Sequence, residues 1–99
     1  MSFSEHLVKD ARLVILRGLA EQTDYRLNEA LIEKVLDSFG HHANRDFVRD
    51  QMRWLEREVN AVTLTEAGPV LVATITRRGL DHVERKTVIE GVARPRPAD

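Results

Sequence analysis

Arginine recurs at every fourth position between Asn44 and Asn60, as Arg45, Arg49, Arg53 and Arg57. At 3.6 residues per turn the row drifts by about 40° per step, so a helix would hold all four guanidinium groups within a sector of about 120°. Val48, Met52, Leu55 and Val59 recur at helical spacing on the other side, and Asn44 is a residue type that caps a helix by accepting a hydrogen bond from an unpaired backbone N–H. The stretch is therefore expected to form one helix with a packed side and a cationic side. Asp46 precedes Arg49 by three and Asp50 precedes Arg53 by three, a spacing at which opposite charges stabilise a helix by roughly 0.2–0.5 kcal/mol per pair. Two readings of this helix follow: a self-neutralised solvated face, or a face for nucleic acid.

Composition narrows the choice of partner. The 99 residues carry a net charge of −1, so long-range attraction to a polyanion has to come from a local patch. The absence of cysteine excludes disulfides, thiolate metal sites and a cysteine nucleophile. The opening Met-Ser-Phe-Ser-Glu-His-Leu lacks the basic region and apolar run of a signal peptide. No apolar stretch approaches the roughly 20 residues that span a bilayer. The expectation is a soluble, cytoplasmic domain without membrane contact.

The remaining elements follow from capping and periodicity. Ser2 and Glu5 have capping-box spacing, and Leu7, Val8, Ala11, Val14, Ile15, Leu16 and Leu19 spread widely enough to pack a first helix against two neighbours at once. Glu21 to Asp24 reads as a polar connector, and Tyr25-Arg26-Leu27 as a short edge strand. Asn28 caps a second helix with the stripe Leu31, Ile32, Val35, Leu36 and Phe39, closed by Gly40. His41-His42-Ala43 is a connection short enough to force a tight angle between the second and third helices. After Asn60 the period becomes two. Val62 to Thr65 and Val70 to Ile75 read as a β-hairpin turned at Glu66-Ala67-Gly68-Pro69. Thr76 caps a short last helix through Val83. The domain is assigned to residues 2–86. Residues 87–99 form an extension, partly disordered, in which Val88, Ile89 and Val92 dock on the body and Arg94-Pro95-Arg96-Pro97 is extended.

Few other residues suggest chemistry. His41, His42 and Asp46 lack a fourth ligand, and adjacent histidines point apart, so no metal is expected. No phosphate loop, serine elbow or convergent acid pair is present, so neither an enzyme, nor a cofactor, nor a small-molecule ligand is expected. Phe47 and Trp54 lie beside the apolar stripe. They are expected to pack on the first helix and the hairpin, the alternative being an exposed patch for self-association.

The order helix, short strand, helix, tight turn, helix, hairpin, helix resembles a winged helix-turn-helix domain, an α+β fold with a three-helix core, a β-hairpin wing and a short C-terminal helix. Val48 through Leu55, with the exit Val59-Asn60-Ala61-Val62, resembles the recognition helix of bacterial regulators of the ArsR and MarR type. Ile75-Thr76-Arg77-Arg78-Gly79 resembles the Leu-Thr-x-x-Gly segment that closes their wing. The chain as a whole, including its Ser-Phe-Ser-Glu-His-Leu opening and Arg-Pro-Arg-Pro ending, resembles a family of small proteins from Mu-like phages and prophages. The resemblance implies a DNA-binding regulator or accessory factor, with Arg45, Arg49 and Arg53 reaching guanine edges in the major groove of double-stranded DNA. Asn44, Asp46 and Gln51 would add contacts. His41, His42, Arg57, Arg77 and Arg78 would face phosphate, with Asn28 offering backbone donors. Useful affinity would then need an oligomer, such as a homodimer. The wing tip carries no lysine or arginine, which together with the balanced charge motivates a rival: the same fold as a protein-interaction adaptor in phage assembly or DNA packaging.

Overall fold

The computed structural model describes residues 2–97, an α+β arrangement of α1 (Phe3–Ala20), β1 (Arg26–Asn28), α2 (Glu29–Ser38), α3 (Arg45–Arg57), β2 (Val62–Ala67), β3 (Val70–Ile75) and α4 (Arg77–Val83). This is the element order expected from the sequence. Each helix starts on a side-chain cap of the kind that satisfies an orphan amide. Ser2 accepts from the Glu5 amide, Asn28 from Leu31, Asn44 from Phe47 and Thr76 from Gly79.

The short edge strand expected over Tyr25 to Leu27 forms one residue later, as Arg26–Asn28, with Tyr25 at φ +60° just before it. The three antiparallel strands lie in the order β1-β3-β2, so β3 is central, with Leu27 and Leu64 both opposite Ala73. β2 and β3 pair as far as Ala67 and Val70, leaving Gly68 and Pro69 as a two-residue loop. Gly68 has φ +61° at its first position, the left-handed conformation that a type II′ hairpin loop takes there. The tight connection keeps the hairpin tip compact.

α1 contacts α2, α4, β1 and β3, which explains why its apolar residues wind around the helix. Ala11, Ile15, Leu16 and Leu19 meet Ile32, Leu36, Val48, Met52, Leu55 and Val62 in one core. Residues beyond α4 complete it. Ile89 and Val92 are buried, and the Ala93 amide donates to the Lys9 carbonyl on α1. Val88 does not dock as expected: it is half exposed. The extension is anchored by His82, a fully buried side chain. Its Nδ1 accepts from the Ile89 amide, which leaves Nε2 to donate to the Ala93 carbonyl 2.9 Å away.

The Thr-x-x-Gly segment has a steric cause. A Cβ on Gly79 would fall 2.7 Å from Cγ1 of Ile75 and closer still to the Ala61 carbonyl oxygen. α4 can approach the strand entry only where a side chain is missing.

Candidate functional site

α3 forms as the apolar and arginine periodicities require, with Val48, Met52 and Leu55 fully buried and Val59 half-buried. Its arginines do not stand free as a row. The carboxylate of Glu29, the first residue of α2, is only 3% exposed and gathers the first two of them. Arg49 donates to Glu29 through Nε and Nη2, the latter at 2.8 Å, and Nη2 also reaches the Pro69 carbonyl at 2.8 Å. Arg45 Nη2 donates to Glu29 at 3.1 Å and to the same Pro69 carbonyl at 3.0 Å. The Leu71 amide of β3 completes the acceptor shell of Glu29. One carboxylate thus ties together the start of α2, the first two turns of α3 and the hairpin tip.

The electrostatics agree with the geometry. The two guanidinium groups and the Leu71 amide, with Arg49 the strongest influence, bring the Glu29 pKa down from 4.5 to about 2 against the opposing effect of burial. Arg49 is shifted up in return, chiefly by its hydrogen bond to Glu29, with Asp46 and Glu66 adding coulombic pull. The Asp46–Arg49 and Asp50–Arg53 pairs expected along the helix are absent from the ion pairs of the described residues. For Arg49 the buried Glu29 outcompetes the exposed Asp46, whose pairing is screened by water and costs side-chain entropy, whereas Arg53 takes no partner among the described residues.

The other expected contact residues are dispersed. Asn44 spends its side-chain oxygen on the Phe47 amide, 2.8 Å away. His41 turns to Asp10 of α1 at 2.7 Å, while His42 is almost fully exposed and lies 3.9 Å from Asp37. Arg53 and Arg57 line a shallow cleft with Glu56 and Glu66. Arg77 pairs with Asp81 within α4, and Arg78 Nε donates to the Val59 carbonyl at 2.7 Å. Both follow the strand end where Val62 opposes Ile75, five residues along β3 from the tip pair Ala67–Val70. At about 3.4 Å per residue that places them roughly 17 Å along the hairpin from the Pro69 region. Arg77 and Arg78, expected to face phosphate, thus lie apart from the Glu29 cluster that holds Arg45 and Arg49.

Known proteins share this sequence over nearly its whole length. The chain is 42% identical over 91 residues to the uncharacterized protein gp26 of Escherichia phage Mu, a match spanning 92% of this chain and 93% of gp26. The chain belongs to the gp26 family. An uncharacterized protein of Haemophilus influenzae is 41% identical to this gp26-family chain over 80 residues, 81% of this chain and 78% of that protein. No family model and no solved structure matches. Among the described residues no helix is long and apolar enough to cross a membrane.

Reading the gp26-family sequence for exposed cations passes over Glu29, yet a signal is present. Glu29 stands three residues before Ile32 and seven before Leu36, on the stripe that α2 buries. A carboxylate on an apolar stripe has to find cations. Gln51 of α3 is a second buried polar group, and it accepts from Arg12 Nε at 2.8 Å. The same Arg12 lies over Trp54, 3.5 Å from the ring centroid, and donates to the Gly91 carbonyl. Trp54 therefore packs against α1 and the C-terminal extension, and Phe47 lines a cleft with Leu7 and Val8 of α1.

Proposed function

We propose that this chain is a winged helix-turn-helix domain working as a protein-interaction adaptor in phage assembly or DNA packaging, with α3 serving as a structural spine. The observation that carries this reading is the capture of Arg45 and Arg49 by Glu29 and the Pro69 carbonyl. Base readout by either arginine requires withdrawing it from a buried carboxylate, and a carboxylate left unpaired in the interior is strongly destabilising. The acids around the tip, Asp46 and Glu66, repel phosphate as well. The same N-terminal end of α3 also borders an apolar cleft of Leu7, Val8, Ala43 and Phe47. Phe3 and Phe39, each next in sequence to a residue of that cleft, are 76% and 63% exposed. Large side chains left open in this way suit contact with another protein.

Double-stranded DNA binding is the second reading, favoured by Arg53 and Arg57, which make no hydrogen bond or ion pair among the described residues. Fluorescence anisotropy on a random duplex across a salt series separates the two. The adaptor reading expects no duplex binding that depends on α3, even at low salt. Binding with a steep negative salt slope that is lost in Arg53→Glu/Arg57→Glu would establish the DNA reading in its place.

A further inference from the structure

A second group of arginines without side-chain partners among the described residues lies away from α3, where α1 ends and the C-terminal extension crosses it. Two adjoining clefts of about 570 and 170 Å³ share Arg85 and Pro95. The larger adds Arg17 and Arg96, the smaller Arg94. None of these four side chains makes a hydrogen bond or ion pair among the described residues, in contrast to Arg12, Arg45, Arg49, Arg77 and Arg78. Glu21 and Glu84 are the acids of the lining, and Glu84 is already answered by Lys86 at 3.0 Å. Four arginines against two glutamates leave a surplus of two on a chain whose net charge is −1, so the rest of the molecule carries −3.

We propose that this arginine-lined groove binds an acidic, partly apolar segment of a partner protein, which gives the adaptor reading on which it rests a partner chemistry. Guanidinium forks match carboxylates in bidentate fashion. Ala20, Val83, Val88 and Pro95 provide apolar wall between them. Pro95 and Pro97 alternate with Arg94 and Arg96; proline fixes φ and holds the preceding residue extended, so the arginines lose less freedom when a ligand arrives. Arg85 adds an independent sign. It has φ +65° just after the cap of α4, a position where helices commonly place glycine, so a long cation is kept there against local backbone strain. The shape favours an extended chain over a rigid duplex, because the charges line concavities. Single-stranded nucleic acid is disfavoured because no phenylalanine, tyrosine or tryptophan lines either cleft to stack a base, and the one imidazole, of His82, is fully buried.

The test uses a fluorescein-labelled peptide in which glutamates alternate with leucine and alanine, and the same peptide with glutamine for glutamate, titrated with the full chain. Binding is expected for the glutamate peptide only. It should weaken by about tenfold or more in Arg85→Glu/Arg96→Glu and change by less than about twofold in Arg53→Glu/Arg57→Glu. Arg57, Arg85 and Arg96 are exposed and Arg53 is half-buried, and an unchanged far-ultraviolet circular dichroism spectrum establishes that the variants fold. Equal binding of the glutamine peptide, or indifference to Arg85→Glu/Arg96→Glu, overturns the proposal. Tighter binding of duplex DNA through these same arginines also overturns it and assigns the groove to nucleic acid. Loss of the peptide site leaves the apolar end of α1 available to a partner, whereas α3-dependent duplex binding sinks the adaptor reading whatever the peptide does.

Discussion

Replacing Glu29 by glutamine should change how stability depends on pH as well as how large it is. With the folded pKa near 2 and the ordinary value at 4.5, the linkage contribution reaches at most about 3 kcal/mol, since every tenfold change in proton affinity between the folded and unfolded chain is worth about 1.4 kcal/mol. The group is depressed on folding, so the contribution is complete above about pH 5.5. As pH falls, the unfolded chain takes up the proton first and the native state loses its advantage, with about 2.5 kcal/mol gone by about pH 2.5. Other carboxylates titrate over the same range, so the informative quantity is the difference between wild type and Glu29→Gln. In urea denaturation followed by circular dichroism, the variant should be less stable at neutral pH by about 2–4 kcal/mol, because glutamine leaves the charges of Arg45 and Arg49 without a carboxylate. The gap should narrow steadily between about pH 5.5 and about pH 2.5. Two parallel stability curves would mean that Glu29 titrates like a surface glutamate and that the ion-pair cluster does not hold α2, α3 and the hairpin tip together.

Three further outcomes follow from the same contacts. Arg49→Met should lower the melting temperature more than Arg45→Met, because Arg49 makes two hydrogen bonds to Glu29 and is 25% exposed while Arg45 makes one and is 56% exposed; thermal scans of the two variants give the ranking. Gly79→Ala forces a methyl group onto the Ala61 carbonyl and Ile75, and overpacking of about 1–3 kcal/mol should appear as a melting point lower by at least about 4 °C. His82→Ala removes both anchors of the C-terminal extension, so hydrogen exchange at the Ile89 and Ala93 amides should accelerate far more than exchange in the middle of α1.

The architecture was open to sequence reading because it is written in local terms. Ser2, Asn28, Asn44 and Thr76 are each recognisable as caps without any tertiary knowledge, and each caps the helix that follows it. Periodicity switches from helical to alternating near Asn60, where the hairpin begins. What the arginines do was less accessible, because it depends on a residue about twenty positions away. For Arg49, Asp46 is the near partner that helical spacing offers, but Glu29 is the buried one, and burial decides the competition. The exposed ends of the apolar stripes were misread for a related reason. Phe39 and Leu31 satisfy the spacing of a buried face, yet α2 is covered along Glu29, Ile32 and Leu36, with Val35 partly covered; periodicity gives the direction of a side chain and says nothing about how far the neighbouring elements reach. The C-terminal extension gives no strong pattern of its own, and its docking rests on His82 and Arg12, which are single polar residues of the preceding chain.

The most direct probe of the captured arginines is a carbon-detected nuclear magnetic resonance titration of the Glu29 side-chain carboxyl carbon in the folded protein. A midpoint near 2 is the expected result. A midpoint at the ordinary 4.5 would contradict it, since that carboxylate would then be free of Arg45 and Arg49 and the first two arginines of α3 would be available to a polyanion after all.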